Sequence, residues 1–141
     1  EDGQAIKEIV KSEGLNDKIL FLGSKPRKDL ALIFSNSDLF WMLSNFEESL
    51  GLVYIEAQAC GCPTLARNAA GAKEAILNGK TGYLVDDDEQ VIELFNSNEF
   101  LKFKKFDLLN FSSRFDCSVL ESFLNNNYII EPETRHHNFN H

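Results

Sequence analysis

Apolar positions along the chain change period several times, and each change marks an element. Ile6, Ile9 and Val10 recur at helical spacing within Ala5 to Glu13, and Gly14, which tolerates positive φ, suits a helix stop. The apolar run Lys18 to Leu22 is too short for a helix and is closed by Gly23, which predicts a strand covered on both faces. Helix is predicted next over Asp29 to Ser35, and a second buried strand over Asp38 to Leu43. The alternation continues with helix over Gly51 to Cys60, strand over Pro63 to Arg67, a short helix over Ala72 to Leu77 and strand over Gly82 to Val85. Strands and helices alternating through short connections predict an α/β fold, a parallel sheet with flanking helices. Beyond Asp86 to Asp88 the pattern is helical over Glu89 to Ser97, Glu99 to Leu108 and Ser112 to about Tyr128, giving a helical C-terminus. The polar stretch from Glu131 to His141 is expected to be a disordered tail, leaving residues 1–130 as the folded domain.

Composition narrows the classes. The chain has 141 residues, enough to bury the core of one domain and short for a two-domain enzyme. Fourteen basic against 22 acidic side chains give a net charge of −8, spread along the chain, which opposes contact with a nucleic-acid backbone. A hydrophobic content of 43% with 12 Phe argues against disorder, and no apolar run approaches the roughly 20 residues needed to span a bilayer. A soluble globular protein is expected. Cys60, Cys62 and Cys117 lack the spacing of a zinc or redox motif and read as small buried thiols, which favours a cytoplasmic location. His136, His137 and His141 have no acid or Cys partner at ligand spacing, so no metal site is assigned. The opening Glu1-Asp2-Gly3, without Met or a signal-peptide pattern, reads as a cut within a longer sequence.

Ligands of open parallel sheets bind beyond the carboxyl ends of the strands, where loops lead into helix starts. The segment Ser44-Asn45-Phe46-Glu47-Glu48-Ser49-Leu50-Gly51 occupies that place. Gly51 opens a helix whose first unpaired N–H groups favour an anion such as a diphosphate, although a plain helix cap would also account for it. On a helical wheel Glu56 falls between Leu52, Val53, Ala59 and Cys60, midway across an apolar face. An ionised group there needs partners, either a hydroxylated ligand or an internal salt bridge.

The string Glu48-Ser-Leu-Gly-Leu-Val-Tyr-Ile-Glu56, then Ala57-Gln-Ala-Cys-Gly61-Cys-Pro63 and Gly71-Ala-Lys-Glu74-Ala-Ile-Leu-Asn-Gly79-Lys-Thr81-Gly82-Tyr-Leu-Val85, resembles the glycosyltransferase group 1 family. Phe21-Leu-Gly23 and Asp38-Leu-Phe40 fall where that family has them, so the likeness covers about Gly3 to Val85. It implies part of the C-terminal, Rossmann-like donor domain of a GT-B enzyme that is retaining and metal-independent and needs no cofactor, a nucleoside-diphosphate sugar being its substrate. It further implies that Glu48 holds hydroxyls of the transferred sugar, as catalytic residue, within a donor site of Glu48, Ser49, Leu50, Gly51, Leu52, Val53 and Glu56. In that site the backbone N–H groups of Leu50 to Val53 hold the diphosphate and Glu56 the ribose. Arg67 to Gly71, with small Ala69, Ala70 and Gly71, is either a surface against which the sugar lies or an ordinary turn. Glu74 matches a family acid but is equally a solvated carboxylate, and Gly79 and Gly82 read as turn residues.

The likeness has gaps. The family's acceptor-binding N-terminal domain, the first two strands of the donor domain and the Arg and Lys that grip the donor phosphates have no counterpart here. Those two strands would lie between Lys18–Leu22 and Asp38–Leu43. Lys25, Arg27 and Lys28 could approach a nucleotide, or form a solvated basic turn. Without the phosphate cations the isolated chain is expected not to turn over. Partners expected are a nucleotide sugar, an unidentified glycan, lipid or protein acceptor, and the missing domain, through which alone a membrane surface would be met. The alternative is a non-catalytic remnant or partner-binding module of the same fold.

Overall fold

The structure is a computed structural model and describes residues 2–43 and 51–115. The Ser44–Leu50 loop, Cys117, nearly all of the last expected helix and the tail with its three His lie outside these residues. Three strands, β1 (Phe40–Met42), β2 (Thr64–Arg67) and β3 (Gly82–Val85), form one parallel sheet in that order. Helices α1 (Asp2–Ser12) and α2 (Arg27–Ser35) precede it, α3 (Leu52–Ala59) links β1 to β2, and α4 (Ala70–Ala75) links β2 to β3. Helix α5 (Asp88–Ser97), a 3-10 turn (Glu99–Lys102) and α6 (Lys105–Ser112) follow. The expected α/β class is present.

The strand register sorts side chains to two faces. Phe40, Met42, Ala66 and Leu84 meet Tyr54, Ile55 and Ala59 of α3 and Ala72, Ala75 and Ile76 around α4. On the opposite face Leu39, Leu43, Leu65, Tyr83 and Val85 pack with Val91 and Leu94 of α5. A third cluster joins Ala31 and Phe34 of α2 to Ala57, Cys60 and Cys62, with the Phe34 and Phe40 rings edge to face at 5.1 Å. Gly82 faces Thr64 across the β2–β3 ladder, where a Cβ would lie 2.1 Å from the Thr64 carbonyl oxygen. Its place is within a strand, not a turn, and close backbone approach is what requires glycine.

Three expectations are corrected. Lys18–Leu22 does not form a strand: no partner pairs with it among the described residues, and Leu20 is 80% exposed. Its first residues belong instead to a turn, the Lys18 and Ile19 N–H groups donating to the Leu15 carbonyl at 2.9 and 3.1 Å. Ile6 and Ile9 on α1 are likewise exposed. The helix expected over Glu99–Leu108 breaks at Phe103, which is extended and places its ring 5.1 Å from that of Tyr83. Packing on Tyr83 thus replaces continuous helical hydrogen bonding. Ser112 ends α6 rather than starting a helix.

The thiols of Cys60 and Cys62 are buried. Burial, with the nearby Glu56 carboxylate, pushes Cys60 from its ordinary 9.0 up to about 11. Burial beside Cys60 pushes Cys62 from 9.0 up to about 12. Both therefore act as protonated apolar groups, inert as nucleophiles at neutral pH.

The packing has measurable outcomes. Gly82→Ala should lower unfolding free energy in denaturant titrations by about 3 kcal/mol, the cost of overpacking against backbone. Gly3→Ala, in α1 with no atom near its Cβ, should instead add about 0.5 kcal/mol of helix propensity. Cys60 and Cys62 should resist iodoacetamide at pH 8 until denaturant is added, as read by peptide mass mapping. Because the folded chain keeps these protons above the 9.0 at which unfolded thiols ionise, their stabilisation is complete below that pH. It is lost as pH climbs through about 11 and 12.

Candidate functional site

Connections that follow parallel strands collect at one edge of the sheet, and the next helices start there. Here that edge gathers the approach to α3 after β1, the turn after β2 and the turn after β3. Gly51 enters α3 in the left-handed region at φ 46°, and a Cβ on it would lie 2.5 Å from the Tyr54 ring and 3.7 Å from the Gly71 carbonyl oxygen. Tyr54 is buried, and its hydroxyl donates to the carbonyl of Met42 at 3.0 Å. Helix α3 is thereby braced on the end of β1, with glycine demanded both by φ and by the ring. No side chain among the described residues caps α3. Its first N–H groups, including those of Leu52 and Val53, therefore lack intrahelical partners and suit an anion.

Glu56 lies one turn beyond Leu52. Its side chain is 17% exposed, and its Oε1 sits 4.0 Å from Nη2 of Arg27, whose side chain is 67% exposed. The wheel placed Glu56 at the centre of a buried face, and the packing differs. Ala59 and Cys60 are buried, but Leu52 is 59% exposed and Val53 only half-buried. Because Tyr54, Ile55, Ala57, Gln58 and Ala59 are all buried, nearly the whole circumference of α3 is core. Glu56 stands on the remaining stripe toward solvent and α2. On α3 the fully buried polar side chain is Gln58, which sequence reasoning passed over; a polar residue between Ala57 and Ala59 in an apolar helix was the available signal.

The turn after β2 is stitched to the turn after β3. Arg67 pairs with Asp88, and Asn68 Nδ2 donates to Asp86 Oδ1 at 2.9 Å. Asp87 accepts from the Gln90 N–H at 2.9 Å and caps α5. The acidic run Asp86–Asp88 is thus occupied with structure. Gly71 is buried beneath Gly51, Ala69 is half-buried and Ala70 exposed. Glu74 is exposed on α4 and Gly79 is a turn residue at φ 75°. Lys25 precedes α2 while Arg27 and Lys28 open it, and of these three Arg27 reaches Glu56.

The structure therefore brings Gly51, Leu52, Val53 and Glu56 together, with Arg27 and Gly71 alongside, while Glu48, Ser49 and Leu50 lie outside the described residues. Among the described residues no group of three or more His, Cys, Asp or Glu could hold a metal ion, and no helix is long and apolar enough to cross a membrane. A separate groove of about 400 Å³ runs between β3 and α5, floored by Tyr83, Leu84 and Leu94 and bordered by Glu93 and Glu99. It contains none of the expected site residues. Lys102 beside Glu99 holds that carboxyl below the usual range.

Comparison with known proteins bears on this arrangement. The family model described as glycosyl transferases group 1 matches residues 1–105. An N-acetyl-alpha-D-glucosaminyl L-malate synthase of Bacillus anthracis is 33% identical over 135 residues, covering 92% of this chain and 33% of that protein. A D-inositol 3-phosphate glycosyltransferase of Rhodococcus jostii (strain RHA1) is 42% identical over 82 residues, 58% of this chain and 18% of its own length. The chain thus spans a third or less of these relatives. Among solved structures, Anabaena Alr3699/HepE in complex with UDP and glucose superposes with a TM-score of 0.69 at 22% identity, covering 87% of this chain and 34% of that one. The same protein is also known in complex with UDP-glucose. The parallel sheet and its helices are similar to that GT-B structure. Motif residues, sheet order and family model agree, and the chain belongs to the glycosyltransferase group 1 family.

Proposed function

We propose that this chain supplies the nucleotide-sugar site of a retaining, metal-independent glycosyltransferase. The observation that carries the reading is Glu56, a largely buried carboxylate one turn beyond a glycine-opened helix start that no side chain among the described residues caps. Ribose hydroxyls donating to that carboxylate would replace the hydration it has lost, and charge-assisted hydrogen bonds of this kind are the strong ones. The N–H groups of Leu50 to Val53 would receive the diphosphate, with Ser49 beside them, and Glu48 would hold the hydroxyls of the sugar as it is transferred. The small residues Ala69 to Gly71 would let the sugar lie against the backbone. That a protein of the same fold is known with UDP and with UDP-glucose supports the ligand class.

In the reaction the bond between the sugar C1 and the diphosphate oxygen breaks, that oxygen keeps the electron pair, and an acceptor hydroxyl oxygen bonds to C1 with configuration retained, its proton leaving with the diphosphate. Negative charge develops on the departing diphosphate, where helix-terminal N–H groups stabilise it without a metal. Arg27, exposed and 4.0 Å from Glu56, is a cation placed beside this site. The acceptor would be held by sequence beyond the third of the relatives that this chain matches. The 141 residues by themselves should bind donor without turning it over.

Isothermal titration with UDP and with UDP-glucose tests the reading. Both should bind, and Glu56→Ala should weaken both by about 2 kcal/mol, roughly 30-fold, the worth of a hydrogen bond to a charged group. Unchanged affinity in that variant would sink the assignment of Glu56. No binding to the unmodified chain would favour a non-catalytic module of the same fold. Arg27→Ala should have a smaller effect on thermal stability than on UDP affinity, since an exposed ion pair contributes about 0.5 kcal/mol or less.

A further inference from the structure

Gln58 is fully buried on α3, and its orientation follows from what it faces. Its Nε2 donates to the Ala75 carbonyl at 2.8 Å and to Thr64 Oγ1 at 3.2 Å. A carbonyl only accepts, so the amide must present its NH2 to Ala75, and Oε1 is left without a partner among the described residues. A leucine of similar volume would avoid that buried, unsatisfied oxygen. In return the amide ties α3 to α4 and to the start of β2. The two helices meet near their starts, where Gly51 faces the Gly71 carbonyl, and near their ends, through Gln58 and Ala75. Gln58 and Glu56, two positions apart, project to opposite sides of the helix, Glu56 toward Arg27 and Gln58 toward α4. A shift of α4 along α3 would therefore displace the turn Arg67–Gly71 relative to Gly51 while leaving Glu56 in place.

We propose that Gln58 is a positioning residue that sets the distance between the nucleotide-facing start of α3 and the sugar-facing turn Arg67–Gly71. It thereby governs how well the site tells a nucleoside diphosphate sugar from the nucleoside diphosphate alone. This rests on the donor-site reading above.

The test compares the full 141-residue chain with its Gln58→Leu and Gln58→Glu variants, by hydrogen exchange without ligand and by calorimetry with UDP and UDP-glucose. Gln58→Leu should speed exchange in residues 69–76 about tenfold while α5 is unchanged, since local opening tracks local contacts. UDP affinity should stay within about threefold, while the ratio of UDP-glucose to UDP affinity should shift about tenfold, a typical coupling between sites. In Gln58→Glu an ionised carboxylate would face the Ala75 carbonyl, whereas a protonated one can donate to it. That variant should match Gln58→Leu in alkaline buffer and approach the unmodified chain in acid, burial having raised its protonation range. Should Gln58→Leu fail to fold, this pH dependence makes the same comparison within one protein. Unchanged exchange over residues 69–76, or both ligands weakened equally, overturns the proposal while leaving the donor site standing. Failure of the unmodified chain to bind either ligand overturns both.

Discussion

The enclosure of α3 is the constraint on which the rest depends. One short helix packs against both neighbouring strands on one face of the sheet, α2 on one flank, α4 on the other and α6 beyond. Such close neighbours leave little room for large side chains, which is why Ala57, Ala59, Ala72 and Ala75 recur at the contacts. They also leave a single stripe of α3 open to a ligand. Leu52 and Glu56 occupy that stripe, and the helix start beneath it is held by the Tyr54 ring against Gly51 and by the Tyr54 hydroxyl on Met42. The same packing that stabilises the domain thus fixes the position of the first N–H groups of α3.

The proposed anion site has to be reconciled with the field of an acidic chain. Net charge of −8 works against a diphosphate at long range. Among the described residues, the three acids of the turn after β3 are committed to structure: Asp88 to Arg67, Asp86 to Asn68, and Asp87 to the start of α5. These links neutralise or occupy the carboxylates and hold two site turns together. Glu56 has Arg27 as its nearby countercharge. Among the described residues, the start of α3 thus presents backbone N–H groups, with the Glu56 carboxylate and the Arg27 guanidinium one turn along.

Much of the fold was legible in the sequence because period and punctuation agreed. Gly51, Gly61 and Gly79 each mark a boundary with positive φ, and the runs at Thr64–Arg67 and Gly82–Val85 are short, apolar and bracketed. Lys18–Leu22 carries the same signal, yet a strand is a property of a pair, and no described segment pairs with it. The break at Phe103 was hidden for a similar reason, since its cause is the Tyr83 ring some 20 residues away. At the site, Gly51 and Glu56 were visible from motif and placement. The wheel argument nevertheless misjudged Glu56, because it supposed one buried face and α3 is buried almost all round.

That error has a physical lesson about polar residues in apolar helices. Two such residues stand on α3, and pattern alone favours Glu56 as the anomaly because it carries charge. Burial selects Gln58 as the fully enclosed one, and the contrast follows from electrostatics: an amide can be enclosed at the cost of one unmet acceptor, whereas an ionised carboxylate keeps a path to water or a counterion. Glu56 has both the residual exposure and Arg27. A carboxylate held in that intermediate state is suited to exchanging partners, because a ligand hydroxyl displaces little water and meets an acceptor already in place. Gln58, having no such path, is suited to holding position. One helix thus divides its polar residues between a side that exchanges partners and a side that keeps them.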